Sequence, residues 1–171
     1  MTQVEEKIMT RLEIPATTAV RFLTAHGIPF EPHFYNYEEH GGTNHASTEM
    51  QVPEHSVIKT LVFETDARKP LLVLMHGDCE VSTKQLARII GVKHVAPCDP
   101  ATARRHTGYT VGGISPFGTR SPLPVYIEST ILSLPVIYIN GGKRGFLVAI
   151  SPEAVQQHLG GTPVDVAIPE I

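Results

Sequence analysis

At 171 residues the chain has the length of one domain, able to bury roughly 70% of its unfolded surface without disulfide or metal staples. A net charge of −3 argues against a broad nucleic-acid-binding face, because Lys and Arg contacts to phosphate dominate that affinity, and DNA is not expected as a partner. The two cysteines, Cys79 and Cys98, lie far apart and form no C-x-x-C; no disulfide framework is required, and a reduced, cytoplasmic compartment is the simplest reading. No apolar run approaches the ~20 residues of a membrane helix, the longest obvious one being "LLVLM" at Leu71–Met75. The opening "MTQVEEKIMTRLEIP" mixes acids and bases around no apolar core, unlike a secretory leader.

Taken in chain order, "IPATTAVRFLTAHGIPF" predicts a first helix. Pro15 suits its first turn, Ala19, Phe22, Leu23 and His26 recur at helical spacing, and Gly27 ends it. "FEPHFYNY" reads as extended, followed by a polar, glycine-containing passage. "SVIKTLVFE" and "PLLVLMH" are β-rich segments around a turn at "TDARK". "STKQLARIIG" predicts a second helix with Ser82 and Gln85 in capping-box spacing and a stop at Gly91. In "PCDPATARRHTG", Asp99 caps a short helix, Pro100 fills its first position and Gly108 stops it. "LPVYIE", "LPVIYIN" and "GFLVAI" are three further strands, with Gly141-Gly142 of "GGKR" expected to turn between the last two. "SPEAVQQHLG" closes with a helix capped at Ser151. Helices and strands interleave without regular βαβ spacing. That predicts an α+β class, a curved mixed β-sheet or partial barrel flanked by helices, in a single domain over 1–171.

The stretch "TGYTVGGISPFGTR" is the least usual. Its glycines match neither G-x-x-x-x-G-K-[ST] nor G-x-G-x-x-G, and it follows a helix instead of opening one, so it is not a phosphate loop. Gly112 and Gly113 permit close approach, and Pro116 fixes φ and disfavours helix at Ser115. The loop is expected to form a rigid wall with exposed backbone amides.

Other chemistry is thinner. Nine histidines include no H-E-x-x-H or comparable ligand pattern, so no metal is expected. Cys79 lies between Asp78 and Glu80, which would raise its pKa, and Cys98 carries no signature of a Cys–His pair. "GGISPFG" lacks the nucleophile-elbow spacing. Lys59 interrupts an apolar strand. Alternation sets it with Val57 and Leu61, so the residue either guards an edge or needs an anion or strong acceptors. Charge is uneven. Between Ala101 and Ile150, Arg104, Arg105, Arg120, Lys143 and Arg144 stand against one acid, Glu128, a local +4 that leaves −7 for the remaining chain. Such a patch either draws a polyanion or is an unevenly solvated face.

Together "VIKTLVF", "TGYTVGGISPFG" and "YINGGKRG" resemble the YbaK family of free-standing aminoacyl-tRNA deacylases, related to the editing domain of bacterial prolyl-tRNA synthetases. The likeness runs from about Pro15 to the helix after Ser151. It implies a mixed sheet with flanking helices and hydrolysis of mischarged tRNA without a cofactor, with the tRNA 3′ end as partner and prolyl-tRNA synthetase as a possible second one. The family's lysine falls on Lys59, followed by Thr60. Its G-x-x-x-P loop falls on Gly112, Gly113, Ile114, Ser115 and Pro116, and its second glycine segment on Gly141 and Gly142 with Lys143 and Arg144. Tyr35 matches a pocket tyrosine of cysteine-clearing members. Asn140 stands where those members carry serine, Leu147 where they carry aspartate, and His45 near an aromatic position, so the resemblance leaves the amino acid open. On this reading Lys59 holds the tRNA end, the loop amides face the ester, and Arg104, Arg105, Arg120, Lys143 and Arg144 contact tRNA backbone. The nucleophile is water, the ribose hydroxyl or a substrate thiol. A non-catalytic module for tRNA ends or nucleotides, and a hydrolase or lyase acting on small esters, are the competing readings.

Overall fold

A computed structural model of the chain describes residues 2–3 and 14–170; most of the N-terminal stretch read above for a leader lies outside the described residues. Helix α1 (Thr18–Ala25) begins where the Thr17 hydroxyl accepts from the Val20 amide, so Pro15 precedes the helix instead of filling its first turn. The correction has a simple cause: a threonine Oγ that takes an orphan amide fixes the start more firmly than a proline two residues earlier. Strand β1 (Glu31–Phe34) follows. The polar passage after it contains a helix the sequence reading did not foresee, α2 (Gly42–Met50). Strands β2 (Val57–Thr65) and β3 (Pro70–His76) form the expected antiparallel hairpin.

Then come β4 (Cys79–Val81), α3 (Thr83–Ile90), β5 (Val95–Pro97) and α4 (Pro100–Thr107). The caps of α3 and α4 are those read from the sequence: Ser82 accepts from Gln85, Asp99 from Thr102, and Gly91 and Gly108 end the helices in the left-handed region. The chain finishes with β6 (Val125–Glu128), β7 (Ile137–Lys143), β8 (Phe146–Ile150), α5 (Pro152–Leu159), β9 (Thr162–Val164) and β10 (Ala167–Pro169).

The main sheet runs β1-β8-β7-β2-β3-β6-β9, with β5 paired to β2, and mixes parallel with antiparallel pairs; β10 and β4 form a separate ribbon. The α+β class and mixed sheet read from the sequence are therefore present. Alternation along β2 splits the core. Ile58 and Val62 join Ala19 and Leu23 of α1, Ala103 of α4 and Val155 of α5 on one side, while Phe63 joins Leu86 and Ala87 of α3 on the other.

One expectation changes at Gly141-Gly142. The β7–β8 connection turns at Arg144-Gly145, and the glycine pair instead forms a bulge within β7, where the register shifts between Asn140 and Lys143. A diglycine serves either use, since both need unusual backbone angles; here Gly142 has φ +97°.

The C-terminal segment is tied down by a buried acid. Glu128, 2% exposed, accepts from the Thr130 amide and hydroxyl and from the amides of Val166 and Ala167 at 2.8 and 3.0 Å. That fixes β10 beside β4 and brings Glu170 within reach of β2.

Candidate active site at a split strand edge

The site begins with a strand that has too many partners. β2 pairs with β3 from Ile58 to Glu64, so its other neighbours must share the opposite edge. β7 occupies that edge at Val57 and Ile58, and β5 takes it from Phe63 to Thr65. Between them β7 bulges away at Asn140. The gap opens into a cavity of about 530 Å³ whose wall includes Tyr35, Lys59, Thr60, Gly112, Ile114, Asn140 and Arg144.

Asn140 holds two of these walls together. Its Oδ1 accepts from the bulge amides of Gly142 (2.7 Å) and Lys143 (3.1 Å), and its Nδ2 donates to the Gly112 carbonyl at 3.1 Å. The side chain replaces bonds that the ladder loses at the bulge. Arg144 adds a second tie: its Nε donates to the Val111 carbonyl at 3.0 Å while the guanidinium lies 5.0 Å from the Tyr37 ring centre. The glycine loop can come this close only without a side chain. A Cβ at Gly113 would sit 2.9 Å from the Arg144 amide nitrogen.

Residues singled out in the sequence fall in different places. Gly113, Ser115 and Pro116 are buried behind the wall; Gly113 donates to Thr110, and the Ser115 hydroxyl accepts from Phe117. The loop is thus anchored from beneath by Phe117, 0% exposed, and presents Gly112 and Ile114 to the cavity. His45 lies outside the wall. It contacts the Asn36 carbonyl at 2.5 Å and Glu38 at 3.6 Å, shaping the segment after Tyr35. Gly141 and Gly142 sit in the bulge, where the Thr17 hydroxyl donates to the Gly141 carbonyl. Arg104, Arg105, Arg120 and Lys143 do not border the cavity; Arg104, Arg105, Arg120 and Lys143 lie at the surface instead. Tyr37, His40, Thr43 and Cys98 border it too, although their sequence positions give no sign of it; each arrives through tertiary packing.

Lys59 finds the acceptors its position demands. Its ammonium donates to the Cys79 carbonyl and lies 3.5 Å from the Glu170 carboxylate, with 21% of the side chain exposed. Neither thiol is activated. Burial, aided by neighbouring Glu64 and Asp99, pushes Cys98 up to about 11, and burial together with Asp78 does the same to Cys79. Burial also raises the Tyr35 phenol. Away from the cavity wall, His55, Asp78 and Cys79 bring ligand atoms within 4.8 Å of one another, but His55 and Asp78 already pair at 2.8 Å.

The cavity is thus bounded by a lysine and a glycine loop, and its one cysteine, Cys98, has a raised pKa. The comparisons agree in kind: residues 40–158 match the model of the aminoacyl-tRNA editing domain, and the chain belongs to that family. It is 26% identical over 155 residues, 90% of this chain and 94% of the other, to "Putative Cys-tRNA(Pro)/Cys-tRNA(Cys) deacylase EbsC" of Enterococcus faecalis. A proline–tRNA ligase of Moorella thermoacetica is 30% identical over 106 residues, covering 61% of this chain and 18% of the ligase. A solved structure described as "a putative trans-editing enzyme for prolyl tRNA synthetase" superposes with a TM-score of 0.78 at 21% identity, covering 91% of this chain and 99% of that one, and so shares the fold. No helix among the described residues is long and apolar enough to cross a membrane.

Proposed function

We propose that the protein is a trans-editing deacylase that clears a small non-cognate amino acid (cysteine, alanine, serine or threonine) from tRNAPro. The observation that carries this is the cavity itself. It joins Lys59 and the Gly112–Ile114 wall around a space whose one thiol, Cys98, stays protonated at neutral pH. An aminoacyl ester needs little activation, so a site that orients it and stabilises developing charge on its carbonyl oxygen suffices. The nucleophile then comes from outside the protein: an ordered water, the adjacent ribose hydroxyl, or the thiol of a cysteinyl substrate.

Lys59 serves as the fixed cation for the terminal phosphate or ribose end. Its partly exposed pair with Glu170 is worth about 0–1 kcal/mol, so a phosphate oxygen displaces it readily. Asn140 keeps the Gly112 wall in register, and Tyr35 and Ile114 limit the amino-acid side chain. An editing role suits such a cavity, because one methylene gives a synthetase only ~1–3 kcal/mol of discrimination and a second sieve must remove what passes. The surface residues Arg104, Arg105, Arg120 and Lys143 guide tRNA backbone, and the relatives' names favour prolyl-tRNA synthetase as the source of the mischarged tRNA.

The test presents one aminoacyl group in three forms: on tRNAPro, on adenosine alone and as an ethyl ester. Turnover falling steeply from the first to the last is expected. Equal turnover of all three would instead mark a small-ester hydrolase.

A further inference from the structure

Along β2 the main-chain groups alternate between edges. The Val57 carbonyl accepts from Gly77, and Lys59 and Leu61 face Met75 and Val73, so odd-numbered residues turn their N–H and C=O toward β3. Even-numbered residues turn the other way: the Val62 carbonyl accepts from Cys98 at 3.0 Å, and the Asp66 amide donates to His94 at 3.1 Å. Ile58 is laddered to β7, whose pairing ends there. Thr60 is what remains. It lies between the last residue held by β7 and the first held by the β5 segment, and among the described residues neither strand's pairing nor any turn or loop main-chain bond reaches its N–H or C=O. Its hydroxyl is also buried without a partner, and the residue borders the cavity.

An open strand edge is a template for another extended segment, because its N–H and C=O groups are left to pair with whatever enters. The geometry points to the Thr60 main chain as the dock for the aminoacyl group, an inference that rests on the deacylase reading above. The amino acid binds extended, as a one-residue antiparallel strand. Its ester carbonyl accepts from the Thr60 N–H while its α-ammonium donates to the Thr60 C=O, the double exchange of a hydrogen-bonded pair. Charge developing on the carbonyl oxygen then falls on the Thr60 amide, and the substrate side chain is directed to one face of the sheet, where its size can be read. The β7 bulge acquires a purpose in this arrangement: without it, Asn140 would continue the ladder and occupy the position of the substrate.

The test replaces Thr60 by its α-hydroxy acid analogue, which removes the N–H and keeps the side chain, and makes the same replacement at Val73 as a control whose N–H serves the β2–β3 ladder. The Thr60 ester is expected to leave the melting temperature near wild type while kcat for deacylation falls about 100-fold, the range for one lost oxyanion donor; the Val73 ester should lower the melting temperature and leave kcat near wild type. Amide exchange in the free protein should show Thr60 exchanging far faster than Lys59 and Leu61. Full deacylation by the Thr60 ester, or a Thr60 amide as protected as its neighbours, overturns the inference. If wild type cleaves no aminoacyl-tRNA, the deacylase reading fails, and with it the dock.

Discussion

Asn140 accepts two amides and donates to one carbonyl while 9% exposed. Removing it leaves the two bulge amides of Gly142 and Lys143 and the Gly112 carbonyl of the loop short of a partner. Asn140→Ala is therefore expected to cost about 1–3 kcal/mol in urea unfolding and to lower deacylation by loosening Gly112; an unchanged midpoint would mean water replaces the amide at no cost. Cys98 offers the opposite case, a reactive residue type on the cavity wall that is held protonated. Cys98→Ser should keep kcat within a few-fold of wild type, because the proposed chemistry forms no bond to the protein. A loss of several orders of magnitude, the scale on which removing a nucleophile acts, would place the thiol in the reaction.

Among the elements, β10 depends on one carboxylate. Glu128→Gln keeps the shape but offers fewer acceptors and turns an NH₂ toward donors, so limited proteolysis should cut near residues 165–169 faster than in wild type, with a stability loss of about 1–3 kcal/mol. Equal cleavage rates would show that the β4–β10 pairing holds the segment alone. How much was readable in the sequence also varied by element. α3 and α4 were legible because their caps are local: Ser82, Asp99 and Pro100 act within one turn, and Gly91 and Gly108 end each helix. α2 was not, since "GTNHASTEM" carries glycine, asparagine and threonines of weak propensity, and Gly41 makes no side-chain cap; packing of Ala46 against Val57 and Leu147 supports it. β9 and β10, three residues each with a proline, exist only through their partners. The same limit applies to the site. Lys59 stood out as a cation within an apolar strand, whereas Tyr37 and Thr43 reach the cavity by tertiary placement that no local pattern encodes.

For the whole molecule, both thiols have folded-state pKa values raised to about 11, against ~8.5 in an unfolded chain. The unfolded state therefore loses these protons first, and their contribution, fully present below pH ~8.5, declines as pH rises toward 11. Melting temperature should fall across that window and fall less steeply in Cys79→Ala; identical slopes would assign the alkaline loss to other groups. The basic residues of 101–150 predict a second global property. Arg104→Glu with Arg105→Glu should raise KM for aminoacyl-tRNA at low salt, with kcat preserved and the salt slope reduced by about 1 for each phosphate no longer neutralised. No change in KM would leave those arginines as solvated surface.

The central claim is that a lysine and a backbone wall, without a protein nucleophile, clear a small amino acid from tRNAPro. It is tested most directly by amino-acid release from tRNAPro charged with cysteine, alanine, serine, threonine or proline, comparing wild type with Lys59→Ala. The account predicts rapid clearance of one small non-cognate species by wild type, slow release of proline, and loss of clearance in Lys59→Ala. Survival of every ester as long as in buffer alone would contradict it.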